Sequence, residues 1–300
     1  MSAVHLINLP TPSKPEQKRT LTPPIGLWSI RTFLEDRGVN CKVTDMDIEG
    51  YTFSMLRPEI FGLSARFSVQ HDEYAAMARL IQKRALRVVA GGFHAAAVEA
   101  PEGVDVVCGD GSGEAFFAGL LGLPKPRGLN DVPFPRFSDA EMAPYWTAGK
   151  PHDLRSLRSR WMPIETSRGC PRRCRFCGVN RFWGGWDPRS AEHVGGHLRY
   201  LEAMNIDEVF IEDDNFSRDP DRFRRIVEDM AHLGIWWSAP NGIPVRDVEA
   251  SMGLLDGSTC WRLSLPCGAA NGRPVRTSSS SWPWWAGLWP RSWCCPECNP

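Results

Sequence analysis

The sequence predicts an α/β protein in two parts: an N-terminal doubly wound parallel sheet, Rossmann-like, over residues 1–125, and a second run of βα units over 159–272. Three observations predict it. Short apolar runs alternate with helically spaced ones through the first 125 residues. Glycine turns follow the strands, where open parallel sheets bind ligands. After a Pro- and Arg-rich connection at 126–158, strand and helix patterns resume with polar residues at the strand ends, as in a barrel.

Val4 to Leu9 is the first strand, followed by a Pro-rich loop. Leu27, Ile30 and Leu34 recur at helical spacing after Pro23-Pro24, whose fixed φ suits a helix start, and Gly38 ends that helix. Val43 to Met46 and Ile60 to Phe67 are the second and third strands, and Tyr74, Met77 and Ile81 share one face of the next helix. Val88 to Ala90 runs into Gly91-Gly92, and Val104 to Cys108 runs into G-D-G-S-G-E. Gly109, Gly111 and Gly113 are spaced by two, which is not the dinucleotide fingerprint and disfavours a nicotinamide site. In the second part, Trp161 to Ser167 is a strand, Gly169 begins a cysteine loop, and Asp207 to Glu212 is a strand ending in Asp213-Asp214-Asn215. Asp219 caps a helix that buries Phe223, Ile226 and Met230. Ile235 to Ala239 is a third strand before Asn241-Gly242-Ile243, and Trp261 to Leu265 a fourth.

The cysteine loop carries the chemistry. Cys170, Cys174 and Cys177 stand in E-T-S-R-G-C-P-R-R-C-R-F-C. Three thiolates at this spacing can hold three irons of a 4Fe-4S cluster and leave the fourth iron open to a substrate or cofactor. Zinc is the rival metal, but its sites pair two half-sites and the cysteine loop is a single C-x2-C knuckle. A disulfide cluster fits worse. The start M-S-A-V-H-L-I-N-L-P has neither a positive charge cluster nor a long apolar core, so we expect a reducing, cytoplasmic setting.

Composition excludes broad classes. Lys plus Arg and Asp plus Glu number 35 each, which removes a general electrostatic case for nucleic acid. No apolar run is long enough to span a membrane. Arg155, Arg158, Arg160, Arg168, Arg172, Arg173, Arg175 and Arg181 crowd around the cysteines, either as a solvated face or as a site for an anionic substrate or acidic electron donor.

The segments P-P-I-G-L-W-S-I-R-T-F-L-E-D-R-G, G-L-S-A-R-F, V-V-A-G-G-F-H-A and V-V-C-G-D-G-S-G-E-A-F resemble the cobalamin-binding domain of cobalamin-dependent radical S-adenosylmethionine (SAM) enzymes. The resemblance implies that Ser64, Gly91, Gly92, His94, Gly109 and Gly111 line the corrin and its nucleotide tail. No His stands in the D-x-H-x-x-G context that ligates cobalt in many cobalamin proteins, so a weak or absent axial bond is expected. Residues 160 to 266 resemble the radical SAM barrel. That resemblance implies a cluster on Cys170, Cys174 and Cys177, with SAM on the open iron. Phe176 would pack by the adenine, Asp213 or Asp214 would contact the methionine amino group, and Asn241 would make a further polar contact. It also implies one-electron cleavage of SAM to a 5'-deoxyadenosyl radical and, with cobalamin, methyl transfer to an unactivated carbon of a small molecule. Ring closure and rearrangement use the same parts. A reducing partner such as flavodoxin or ferredoxin is implied as well.

Beyond Leu265-Pro266 the text departs from that family, which continues with a Glu-Ser-Gly-like turn and two further strands. Five of the thirteen Trp and three of the ten Cys fall in residues 273–300, without helical or strand periodicity. This stretch reads as an altered frame or disordered tail, and Cys295 and Cys298 form a C-x2-C half-site. A partial barrel leaves its radical site open to water. The competing functions are therefore an inactive fragment or a non-catalytic cobalamin or cluster carrier. A methylthiotransferase needs more cysteines in its first domain than Cys41 and Cys108.

Overall fold

The computed structural model describes residues 4–11, 21–50, 58–109, 111–148, 160–172, 174 and 177–264. The first sheet is built from β1 (Val4–Asn8), β2 (Cys41–Asp45), β3 (Ile60–Ser64), β4 (Arg87–Gly91) and β5 (Val106–Val107), in the order β2-β1-β3-β4-β5. Every pairing is parallel. β1 and β3 are buried along their whole length, as strands covered on both faces must be. The covering helices are α1 (Ile25–Glu35), the short α2 (Met46–Glu49), α3 (His71–Ile81) and α4 (Gly113–Leu121). One apolar layer gathers Phe33, Leu34 and Phe117 beneath β1, and the other packs Tyr74, Met77 and Ile81 against Phe61 and Leu63.

The sequence places these elements well but overruns several ends. The second strand stops at Asp45, because the Asp45 side chain accepts from Asp47 N and starts α2 at Met46. The third stops at Ser64, where Gln70 takes over the backbone: its Oε1 accepts from the Arg66 and Phe67 amides at 2.8 and 3.0 Å.

The connection is packed. It contains α5 (Asp139–Ala148), and Leu129, Val132, Phe134, Phe137, Met142 and Tyr145 are buried. Trp28 of α1 lies at ring-centroid distances of 6.1 Å from both Phe137 and Tyr145. Tyr145 Oη donates to Asp45 at 2.5 Å, while Trp146 Nε1 donates to the Trp161 carbonyl at 2.9 Å. One helix thus grips both halves.

In the second half, β6 (Trp161–Ile164) leads to an antiparallel ribbon of β7 (Ser167–Gly169) and β8 (Trp186–Pro188), with α6 (Val179–Trp183) between them. Then follow α7 (Ala191–Ala203), β9 (Glu208–Ile211), α8 (Pro220–His232), β10 (Trp236–Ala239), α9 (Val245–Ala250), α10 (Met252–Asp256) and β11 (Cys260–Leu263). The four parallel strands run β11-β10-β9-β6, each βα unit placing its strand beside the last. The single strand expected over 161–167 is therefore two, divided at Glu165-Thr166. Asp219 caps α8 as its sequence predicts, accepting from Asp221 N and Arg222 N. Residues 265–300, including the Trp-rich tail, lie outside the described residues.

Candidate active site

The first strand-end site is a backbone cradle. Ser64 ends β3 beside Gly91 of β4, and Ala65 N donates to Gly91 O at 2.9 Å. Gly92 adopts φ +101, and a Cβ there would stand 2.5 Å from the Ala65 carbonyl oxygen. Only glycine fits that turn. The same carbonyl accepts from the amides of His94 and Ala95. Gln70, fully buried, donates from Nε2 to Leu9 O at 2.8 Å, so the loops after β1 and β3 are stitched together at the point where strand order reverses. Gly109 has open space where a Cβ would go, and Gly111 adopts φ +56 beside Trp183. The His94 imidazole is turned onto α3, with Nε2 3.1 Å from His71 Nδ1. Burial, with His71 beside it, holds its pKa below the usual imidazole range. The side chain that instead stands on the rim is Phe93, 42% exposed, which sequence reasoning missed.

The second site is the cysteine loop. Gly169, at φ +77, brings its Cα so close to Gly185 O that a Cβ would lie 1.9 Å from it. Cys170 is held from three sides: Asp214 accepts from Gly169 N at 3.1 Å, Asn180 Nδ2 donates to Cys170 O at 2.9 Å, and Asn215 Nδ2 donates to Cys170 Sγ at 3.3 Å. Cys174 and Cys177 are exposed, joined by the bond from Cys177 N to Cys174 O. Among the described residues no three His, Cys, Asp or Glu side chains are gathered as a metal site. The donor set nonetheless suits a thiophilic cluster, since three thiols are presented from one loop and Asn215 already directs a donor at the first sulfur.

The acids expected to face SAM hold hydrogen bonds within the chain. Asp213 is 2% exposed, and its carboxylate accepts from Thr166 N, Thr166 Oγ1 and Ser167 Oγ, each at 2.6 Å. It clamps the β6–β7 connection from the end of β9. Burial pushes its pKa up, against those hydrogen bonds. Burial likewise raises Asp214, which braces Gly169. Asn241, beyond β10, donates to Glu212 O at 3.0 Å. Phe176 lies outside the described residues. Asn215, third in the run Asp213-Asp214-Asn215, is the group that reaches a cysteine; its Oδ1 is buried without a partner among the described residues.

The arginine cluster is no single surface. Arg168 is buried, its Nη1 and Nη2 donating to Glu114 at 2.8 and 3.0 Å and its Nε to Glu165 at 2.7 Å. Arg160 binds Asp139, and Arg172 approaches Asp247 at 3.9 Å. Arg155, Arg158, Arg173 and Arg175 lie outside the described residues.

The two sites face one another. Phe93 packs on Phe182 of α6 with ring centroids 4.1 Å apart, and Arg168 reaches across to α4. Cys41 and Cys108, by contrast, are buried on opposite edges of the first sheet, four strand steps or roughly 19 Å apart. Burial, then Glu35, pushes the Cys41 thiol up to about 12. These two cannot share a second cluster.

Comparison with known proteins agrees with this arrangement. Residues 19–117 match the B12 binding domain family. The cytidylyl-2-hydroxyethylphosphonate methyltransferase of Streptomyces wedmorensis is 30% identical over 140 residues, covering 46% of this chain and 26% of the relative. The structure of the cobalamin-dependent SAM radical enzyme OxsB, bound to aqua-cobalamin and SAM, superposes with a TM-score of 0.61 at 17% identity, covering 85% of this chain and 41% of OxsB. The radical SAM methyltransferase TsrM of Kitasatospora setae, with cobalamin and a [4Fe-4S] cluster bound, gives 0.58 at 16% identity, covering 87% and 68%. The chain thus spans about a quarter of the phosphonate methyltransferase and less than half of OxsB. No helix among the described residues is long and apolar enough to cross a membrane. Residues 19–117 thus resemble a B12-binding domain, and the two-sheet α/β fold is the one seen in the solved cobalamin- and SAM-binding neighbours.

Proposed function

We propose that this chain is a cobalamin-dependent radical SAM protein whose reaction is methyl transfer to a carbon of a small molecule. One observation carries the reading: the glycine cradle of a B12-binding domain is packed, through Phe93 and Phe182, against the helix that follows a loop of three cysteines. Cys170, Cys174 and Cys177 would hold the cluster, while Ser64, Gly91, Gly92, Gly109 and Gly111 would let backbone approach the corrin. When bound, these cofactors supply one-electron reduction and a transferable methyl group. The chain's own part is placement. Asn215 fixes the Cys170 sulfur, Gly169 sets the turn that exposes the loop, and Gly92 keeps the cradle mouth open. Phe93, Phe182 and Trp183 form an aromatic contact between the two sites.

The test is an anaerobic reconstitution with iron, sulfide and cobalamin. Cluster and corrin absorbance, with deoxyadenosine or a methylated product after reduction, is the expected result. Cluster absorbance without corrin bands reassigns the chain to cobalamin-independent radical chemistry. Corrin without turnover makes it a non-catalytic carrier.

A further inference from the structure

The buried pair Arg168–Glu114 stands between the two sites and belongs to neither. Glu114 is the second residue of α4, directly behind the turn that holds Gly109 and Gly111. Besides Arg168 it accepts from Ser29 Oγ of α1 at 2.5 Å and from Ser112 Oγ at 3.0 Å. Arg168 lies on β7, two residues before Cys170. The two side chains are 7% and 1% exposed. Trp183 closes the same space, with the Arg168 guanidinium 5.2 Å from its ring centroid and the ring 3.5 Å from the position a Cβ on Gly111 would take. A guanidinium bound through two parallel bonds is a planar fork, so it transmits both distance and orientation. Sliding the start of α4 against β7 would break both bonds in a place water does not reach.

We propose that this fork couples the two sites, so that occupancy of the glycine cradle by a corrin changes the affinity of the cysteine loop for its cluster, and by linkage the reverse. The proposal rests on the cofactor reading above. Arg168 and Glu114 are positioning residues in it, acting through the backbone of β7 and α4.

The experiment titrates aqua-cobalamin into anaerobic protein with and without a reconstituted iron–sulfur cluster and compares the two dissociation constants. In the wild type they differ by about fivefold or more, the usual scale of site coupling. In the double variant Glu114→Met/Arg168→Met, whose apolar pair keeps the core filled, both cofactors still bind and the ratio falls to one. Arg168→Lys keeps the charge but loses the fork, and restores only part of the ratio. It also serves where the double variant does not fold. A ratio of one in the wild type, or an unchanged ratio in the double variant, overturns the coupling alone. A wild type that takes up no cobalamin overturns the cofactor reading and the coupling with it.

Discussion

The two strand-end sites are built on opposite plans. In the B12-binding half the cradle is finished in backbone: Gly92, the Ala65 carbonyl and Gln70 fix the loops after β1, β3 and β4 before any ligand arrives. In the cysteine half only the first cysteine is fixed. Asn215, Asn180 and Asp214 hold Cys170 and its neighbour Gly169, while Cys174 and Cys177 stay exposed. On the cofactor reading proposed above, the difference follows from how each ligand would be held. A large ring gripped by many weak contacts needs a cradle ready beforehand, or ordering cost consumes the affinity. Metal–thiolate bonds are strong enough to fold their own loop, so one anchored cysteine suffices to start.

Substitutions at the anchoring glycines break this comparison most sharply. Gly169→Ala drives a Cβ to 1.9 Å from Gly185 O at a left-handed φ of +77. We expect a loss of more than about 4 kcal/mol in urea unfolding and failure to retain iron. Gly92→Ala, with its contact at 2.5 Å to Ala65 O, is expected to cost about 2–4 kcal/mol. Cobalamin retention should fall far more than the iron content of reconstituted protein, and equal loss of both would show that the cradle and the loop are not built separately.

Acid weakens the join between the halves. Burial alone would raise Glu114, but the charge and hydrogen bonds of Arg168, with Ser29, hold its carboxyl down to about 2 from an ordinary 4.5. A depressed folded-state pKa stabilises the fold above the unfolded value and loses that contribution as pH falls through the folded one. The pair's contribution is therefore full above about 4.5 and gone near 2. Unfolding free energies across that window should fall steeply for the wild type and more gently for Glu114→Gln.

Smaller effects sharpen the distinction. Asn215→Leu removes the donor from the Cys170 sulfur at a cost of about 1–2 kcal/mol. The reconstituted cluster should then have a lower reduction potential in a spectroelectrochemical titration, because hydrogen bonds to sulfur stabilise the reduced, more negative cluster. Gly109→Ala enters open space and should change stability by less than about 0.5 kcal/mol. A weakened corrin affinity in that variant would mean the ligand, not the chain, needs the glycine.

Local signals reached far into this molecule. The cysteine spacing, the glycines after β4 and β5, the buried face of α3 and the Asp219 cap of α8 are each written within a few residues, so sequence alone determined them. Element ends were legible only where no side chain intervened, as the Asp45 and Gln70 contacts show. The roles of the charged residues were not legible. Nothing near Asp213 in the sequence announces its partner Thr166, 47 residues away. Arg168 reads as one of a solvated cluster until Glu114, 54 residues away, buries it. Periodicity and caps depend on neighbours along the chain. The partner of a buried charge depends on which surfaces close over it, because desolvation compels each such group to find a counter-charge or donor, and only the packed tertiary structure decides which one lies within reach.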